Sequence, residues 1–292
     1  MPELPEVETI RAGLERSVAQ QSIATVTVSH PRSVRRHPGG PEDFAQALLG
    51  RTITQVSRRG KYLWLAFADG DALLAHLGMS GQFRVDRPGD PPPPNTRVEF
   101  TFTTADIVLR FVDQRMFGGL SLSGGGAAQP AEIAHIAADL LSADLDWDAL
   151  VAKIVAKRSG IKRVLLDQTV VSGIGNIYAD ESLWRARLHY DRPANTLSSS
   201  RISGLLEHAQ AVLGEALAAG GTSFDALYVG VAGESGYFER SLAVYGRQGL
   251  PCPRCGTAIV REPFMGRSSF RCPKCQPRYR VEPSRPSRVE AL

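Results

Sequence analysis

Four cysteines carry the most specific chemistry in the chain, as Cys252-Pro-Arg-Cys255 and Cys272-Pro-Lys-Cys275 with sixteen residues between the pairs. Two such knuckles suit four thiolates around one tetrahedral structural zinc, closed to substrate because every position is taken. Two disulfides are the competing reading, and a cytoplasmic chain with no other cysteine has little reason to hold any. The surroundings are basic. Arg247 to Arg280 contains seven arginines, one lysine and one glutamate, a net +7, whereas the whole chain carries only +4. A basic patch on a nearly neutral body is a polyanion footprint or an ordinary solvated face. A second anion-holding candidate is VVSGIGNIYADESLW, where Gly173 and Gly175 allow a tight turn and Asn176 opens a helix whose backbone N–H groups can hold a phosphate. Alone it is a plain helix connection; beside an arginine-rich hairpin it becomes a second clamp. A third candidate is the opening, MPELPE. Pro5, Glu6 and Glu8 suit the first turn of a helix. Pro2 and Glu3 have no such explanation.

The elements that must position these residues follow from periodicity. Val7, Ile10, Leu14 and Val18 recur at helical spacing after the opening. Strand-like runs occur at SIATVTVSH, KYLWLAF, ALLAHL, RVEFTF and IVLRFV, so the first half reads as a β-sandwich. RPGDPPPPNT (87–96) reads as an exposed, extended loop. After GGGAAQP (124–130) the pattern turns helical, at DWDALVAKIVAKR, IKRVLLDQTVV, NIYADESLWRA and a long helix from Ser199 to Ala219 ended by Gly220-Gly221. The expected fold class is α+β and multidomain: a sandwich with an N-terminal helix over 1–130, a helical unit over 131–245, a zinc hairpin over 246–280 and a basic tail over 281–292. At 292 residues and 43% hydrophobic the chain can bury a substantial core, and no apolar run is long enough to span a bilayer. The expectation is a cytoplasmic monomer.

MPELPEVET, GKYLWL, HLGMSGQF, VSGIGNIYADE, GESGYF, VYGR and the cysteine pairs occur in order along nearly the whole chain. The sequence resembles the formamidopyrimidine-DNA glycosylases, and ALYVGVAGESGYF resembles their actinobacterial branch. The resemblance implies a bifunctional base-excision repair enzyme with a β-sandwich, a helix-two-turn-helix domain and a zinc finger, acting on damaged double-stranded DNA. It implies that Pro2, once Met1 is removed, attacks the sugar C1′ as a secondary amine, that Glu3 protonates the opening sugar ring, and that Glu6 supports it. Lys61, otherwise a strand-start lysine with its stem on apolar surface, becomes a phosphate contact and a proton donor in β-elimination. Arg267, otherwise a structural finger residue, becomes the phosphate grip that assists δ-elimination. His76 would contact backbone, and Met79, Arg115 and Phe117 would fill the gap left by an extruded nucleotide. Lys157, Lys162, Asn176 and Tyr245 match further DNA contacts, a solvated helix face being the alternative for the two lysines. The segment from Phe224 to Tyr237 is expected to close over the lesion.

Two positions depart from the family pattern. Met116 stands where many relatives carry a second arginine, and Asn95, in the proline-rich loop, stands where a DNA-contacting histidine is common. Asn95 can hydrogen-bond a phosphate but has no cationic form. Endonuclease VIII, which removes oxidised pyrimidines on the same scaffold, is the nearest alternative, and a non-catalytic zinc-finger DNA-binding protein is the other.

Overall fold

A computed structural model describes residues 2–222, 231 and 238–279, with the side chains of Glu239 and Arg240 excepted. The first helix, α1 (Leu4–Val18), starts where expected, with Pro5 in its first turn. Strand β1 (Ile23–Val28), helix α2 (Gly40–Leu48), then β2 (Ile53–Arg59), β3 (Tyr62–Phe67), β4 (Ala72–His76), β5 (Gly81–Asp86), β6 (Thr96–Phe102), β7 (Val108–Asp113) and β8 (Gly119–Ser123) complete the first half. They form two four-stranded antiparallel sheets in the orders β1-β6-β7-β5 and β2-β3-β4-β8.

Inner-face residues Leu63, Leu65, Phe83, Phe100 and Phe111 build the sandwich core, which Val7, Ile10, Leu14 and Val18 of α1 and Phe44 of α2 close from outside. β3 and β4 are near-continuous apolar runs because their outer face is also covered. Trp64, Ala66, Ala72 and Leu74 pack there against Ile133 and Ile136. The sandwich therefore holds chain beyond Pro130, past the composition shift in the sequence.

The second half contains α3 (Trp147–Val155), α4 (Ile161–Leu166), α5 (Asn176–Arg185) and α6 (Ser199–Ala218). Helix α4 is shorter than the apolar pattern over 161–171 suggests. Asp167 Oδ1 accepts from the Thr169 backbone N–H at 3.0 Å and hydroxyl at 2.7 Å, and this local turn competes successfully with another helical turn. A turn over 168–170 and an isolated bridge from Ser172 to Asp139 then lead into α5. Leu4 belongs to this helical core and not to the sandwich, so α1 is shared by both halves. Arg58 ties them again, pairing with Glu8 at 2.9 Å and Asp139 at 2.8 Å. Finally β9 (Val260–Phe264) and β10 (Arg267–Arg271) form the two-stranded hairpin beside the cysteines. Among the described residues, no helix is long and apolar enough to cross a membrane.

Candidate functional site

The first turn of α1 is inserted against the first turn of α5. Glu3, 3% exposed, presents its carboxylate to the open end of α5 and accepts from the backbone N–H groups of Gly175 at 2.8 Å, Ile177 at 2.9 Å and Tyr178 at 3.3 Å. These are donors that a helix leaves unpaired at its start, and the helix dipole favours an anion there. The close approach requires Gly175: a Cβ on it would lie 2.3 Å from Glu3 Cδ. Glu6 backs this arrangement. Its carboxylate accepts from the Glu3 backbone N–H at 2.9 Å, the Tyr178 hydroxyl at 2.7 Å, and the Thr222 backbone N–H and hydroxyl at 2.8 and 2.9 Å. Burial raises the Glu3 pKa above the ordinary carboxylate range, and Lys61 and the α5 amides only partly oppose it.

Lys61 Nζ donates to the Ile174 carbonyl at 2.8 Å. Burial lowers its pKa; Glu3 pulls the other way, and Arg267 adds to the lowering. Gln168 fixes that carbonyl from the other partner: its amide donates to Ile174 O at 3.1 Å and Leu166 O at 3.0 Å, and accepts from Gly173 N–H at 3.0 Å. Pro2, Lys61, Gln168, His76 and Arg267 line one cavity of about 380 Å³. A neighbouring hollow of about 460 Å³ is lined by Glu3, Met79, Asn176, Tyr245 and Arg267, so Arg267 borders both. The nucleophile candidate and two cations therefore share one space, with the carboxylate directly behind. His76 stacks on Tyr62 at 5.0 Å between centroids, and burial followed by the nearby Arg36 and Arg35 lowers its pKa. A neutral imidazole suits a hydrogen-bonding contact better than a charge contact.

Met79, Arg115 and Phe117 lie on two adjoining turns. Met79 is 38% and Phe117 46% exposed, and the Arg115 guanidinium sits 5.2 Å from the Phe117 ring centroid. Backbone and buried side chains hold these turns. Asp113 accepts from the Ser80 hydroxyl at 2.5 Å and Gly118 N–H at 2.8 Å, and Ser80 Oγ accepts from Arg115 N–H at 2.9 Å. Gly78 is required where the turns touch, since a Cβ there would lie 2.5 Å from the Gly118 nitrogen. Arg32 and Arg35 donate to the carbonyls of Met116, Phe117 and Gly118.

The four cysteine sulfurs lie within 4.8 Å of one another. Cys255 to Cys272 is 3.4 Å and Cys255 to Cys275 is 3.5 Å, far beyond the roughly 2.05 Å of a disulfide. A Zn–S bond of about 2.3 Å gives a tetrahedral edge of about 3.8 Å, so the donor set fits one structural zinc. Helix α5 grips the hairpin and the segment that leads to it with two successive buried carboxylates. Asp180 accepts from Ser269 Oγ at 2.8 Å and Phe270 N–H at 2.9 Å, and Glu181 accepts from the N–H groups of Ala243, Val244 and Tyr245, each at 2.9 Å. Asn176 adds a bond from Nδ2 to Ser268 O at 2.8 Å.

The assignment of Lys162 to a DNA contact is corrected here. Lys162 is 0% exposed, pairs with Asp180 at 2.7 Å and lies 4.7 Å from the Phe264 ring centroid. A lysine enclosed in this way meets a carboxylate and a ring, not a phosphate, and it reaches the hairpin directly at Phe264 and through Asp180. Lys157 is half-buried just after α3. Asn95 adopts φ +69°, which asparagine tolerates, and its Oδ1 accepts from Arg97 at 2.9 Å. Of the expected lid from Phe224 to Tyr237, only Val231 is among the described residues, and it packs into the sandwich core; the rest, and the tail from Arg280, lie outside them. Sequence reasoning missed Ser80, Asp113, Gln168, Tyr178, Asp180 and Glu181. Only Asp113, shortly ahead of Gly118-Gly119, left a local signal.

Comparison with known proteins covers the chain in three consecutive parts. Residues 1–120 match the family described as formamidopyrimidine-DNA glycosylase N-terminal domain, 136–227 its H2TH domain, and 249–278 the zinc finger found in FPG and IleRS. A formamidopyrimidine-DNA glycosylase of Acidothermus cellulolyticus is 59% identical over 277 residues, covering 95% of this chain and 98% of the relative. That of a Nocardioides species is 58% identical over 291 residues, 99% of each. Among solved structures, Lactococcus lactis Fpg in complex with abasic-site DNA superposes with TM-score 0.83 at 34% identity, over 94% of this chain and all of the other. MutM in complex with DNA containing carbocyclic 8-oxo-G gives TM-score 0.84 at 33% identity, over 95% of this chain and 100% of the other.

Proposed function

The chain belongs to the formamidopyrimidine-DNA glycosylase family, a base-excision repair glycosylase with abasic-site lyase activity, and from that premise we propose how its residues divide the work. Damaged duplex DNA lies across the basic face, the lesion nucleotide enters the cavity lined by Pro2, Lys61 and Arg267, and the enzyme acts as a cytoplasmic monomer. The freed Pro2 amine attacks C1′, and the base leaves with its electron pair and takes up the proton that the amine gives up. Glu3 gives its proton to the sugar ring oxygen as the ring opens, leaving an iminium between Pro2 and C1′. That cation acidifies the C2′ hydrogen. Its loss expels the 3′ phosphate, and a second elimination expels the 5′ phosphate.

Burial that favours the protonated Glu3 supports the acid role. Lys61 and Arg267 border the cavity as the charges that meet the flanking phosphates. The zinc hairpin holds Arg267 in place; when bound, the metal supplies folding stability. Met79, Arg115 and Phe117 enter the gap in the duplex, and His76, Asn95, Lys157, Asn176 and Tyr245 contact the backbone around it. The substrates are oxidised purines, 8-oxoguanine opposite cytosine and formamidopyrimidines.

The observation that carries this reading is the placement of Pro2 in one cavity with Lys61 and Arg267, while Glu3, held by the amides of α5, lines the adjoining hollow. Borohydride reduction in the presence of 8-oxoguanine duplex tests it. Wild-type protein should form a covalent complex, and an N-terminally blocked protein should not. Wild-type trapping yield from the blocked protein would remove Pro2 from the mechanism.

A further inference from the structure

One turn beyond Asp180 and Glu181, α5 brings an indole to the metal-binding sulfurs. Trp184 Nε1 donates to Cys252 Sγ at 3.4 Å. Its ring packs against the small cluster of Val244, Cys252, Ile259 and Cys272. Arg254, between the first two cysteines, stacks 4.2 Å from the indole centroid and donates to the carbonyls of Trp184 and Arg185 at 3.0 and 3.4 Å. The finger thus caps the end of α5 while α5 donates to the finger.

Four thiolates on one divalent cation keep a net charge of −2, and buried charge must be met by donors. Cys252 is 2% exposed, so little of that charge can be met by solvent at this sulfur. Cys272 Sγ receives the Cys275 N–H at 3.4 Å, and Cys255 Sγ lies 3.5 Å from the Thr257 hydroxyl, which must be the donor once the sulfur is a thiolate. For Cys252 the side-chain donor is the Trp184 indole. Phenylalanine would fill much of the same space without the N–H, so the choice of tryptophan here has a chemical content beyond packing.

We propose that Trp184 is a positioning residue of the zinc centre: its indole N–H draws charge from the Cys252 thiolate and makes metal retention depend on α5, the helix that also holds Glu3. This goes beyond the repair chemistry and does not rest on it.

The test uses the full chain with Co²⁺ in place of zinc, comparing wild type, Trp184→Phe, and a protein with benzothienylalanine at position 184, which keeps the bicyclic shape and lacks the N–H. Removing the donor raises the sulfur lone pairs in energy. Both variants should therefore move the sulfur-to-cobalt charge-transfer band to longer wavelength while keeping the tetrahedral d–d bands. Zinc loss to excess EDTA should quicken by about tenfold or more, the lower end of what removing a ligand's hydrogen-bond partner does to metal affinity. If the benzothienylalanine protein matches wild type in band position and zinc loss, Trp184 only packs and the proposal fails. If Trp184→Phe disturbs the d–d bands or the fold, the shape-preserving variant alone decides the question by the same two readouts.

Discussion

Two parts of the candidate site are built on opposite plans. Around Glu3 and Glu6 the side chains are buried and bonded at nearly every acceptor position, to α5 amides, Tyr178 and Thr222. Around Met79, Arg115 and Phe117 the side chains project outward, and the fixing bonds go to backbone through Asp113, Ser80, Arg32 and Arg35. A group that must hold a proton needs a defined, dry environment. A group that must enter a partner needs a rigid base and an exposed tip. Changing one residue in each plan should therefore damage different observables.

The largest effect is expected at the buried carboxylates. Glu3→Gln keeps volume and loses the proton, so single-turnover excision should fall by about 10²–10⁴-fold, the usual range for a general acid, with lesion binding retained. The pH profile sharpens this. Because burial raises the Glu3 pKa, the wild-type excision rate should fall as pH climbs through the raised Glu3 value, a limb that Glu3→Gln should lack. The same shift has a stability consequence of fixed sign. A raised folded-state pKa contributes stability fully below the unfolded carboxylate value and loses it as pH rises through the folded one, so melting scans should show wild type losing ground to Glu3→Gln with rising pH. A pH-independent gap would contradict the buried acid.

In the other region, Asp113→Ala leaves buried donors of Ser80 and Gly118 without an acceptor. It should cost about 1–3 kcal/mol in denaturant unfolding and weaken lesion binding, although Asp113 itself is 1% exposed and touches no substrate. Arg115→Ala should change stability by less than about 0.5 kcal/mol yet erase a preference of about 1–3 kcal/mol for 8-oxoguanine opposite cytosine over adenine, read from single-turnover rates on both duplexes. Equal preference in wild type and variant would free Arg115 from reading the partner base. The smallest effect is expected at Met116, which holds φ +54° between these exposed tips. Met116→Gly removes a left-handed strain of about 1–2 kcal/mol and adds glycine's entropy of about 0.5–1 kcal/mol. Its melting temperature should rise slightly, with the cytosine preference unchanged.

What could be read from the sequence follows from what is local. Helix α1, the apolar strands and the cysteine pairs announce themselves within a few residues, and the cysteines even fix their metal. Strands β2, β5 and β8 did not, because ITQVSRR, GQFRVD and GLSLS are polar, short or built from small residues that become strand only beside a partner. The same limit explains Asp180, Glu181 and Gln168. Each is an ordinary polar residue on or between helices until a distant segment supplies its partner, some 62 residues away for Glu181 and 90 for Asp180. Lys162 shows the reverse error. In IKRVLLDQ it looks like a surface charge, and only the hairpin folding over it, with Phe264, makes it a buried one.

The Glu3 contacts also set an order of events at the ribosome. Pro2 and Glu3 are among the first residues made, but the amides that receive the Glu3 carboxylate come 172 to 175 residues later, and the Thr222 that completes Glu6 comes 216 residues after it. At about 5–20 residues per second, the carboxylate waits about ten to thirty-five seconds for its helix. The residues proposed to react are thus synthesised first and assembled last. A nascent chain that already carries Pro2 has no seated Glu3 carboxylate, and a truncated product that stops before α5 would carry both residues without the amides that hold Glu3.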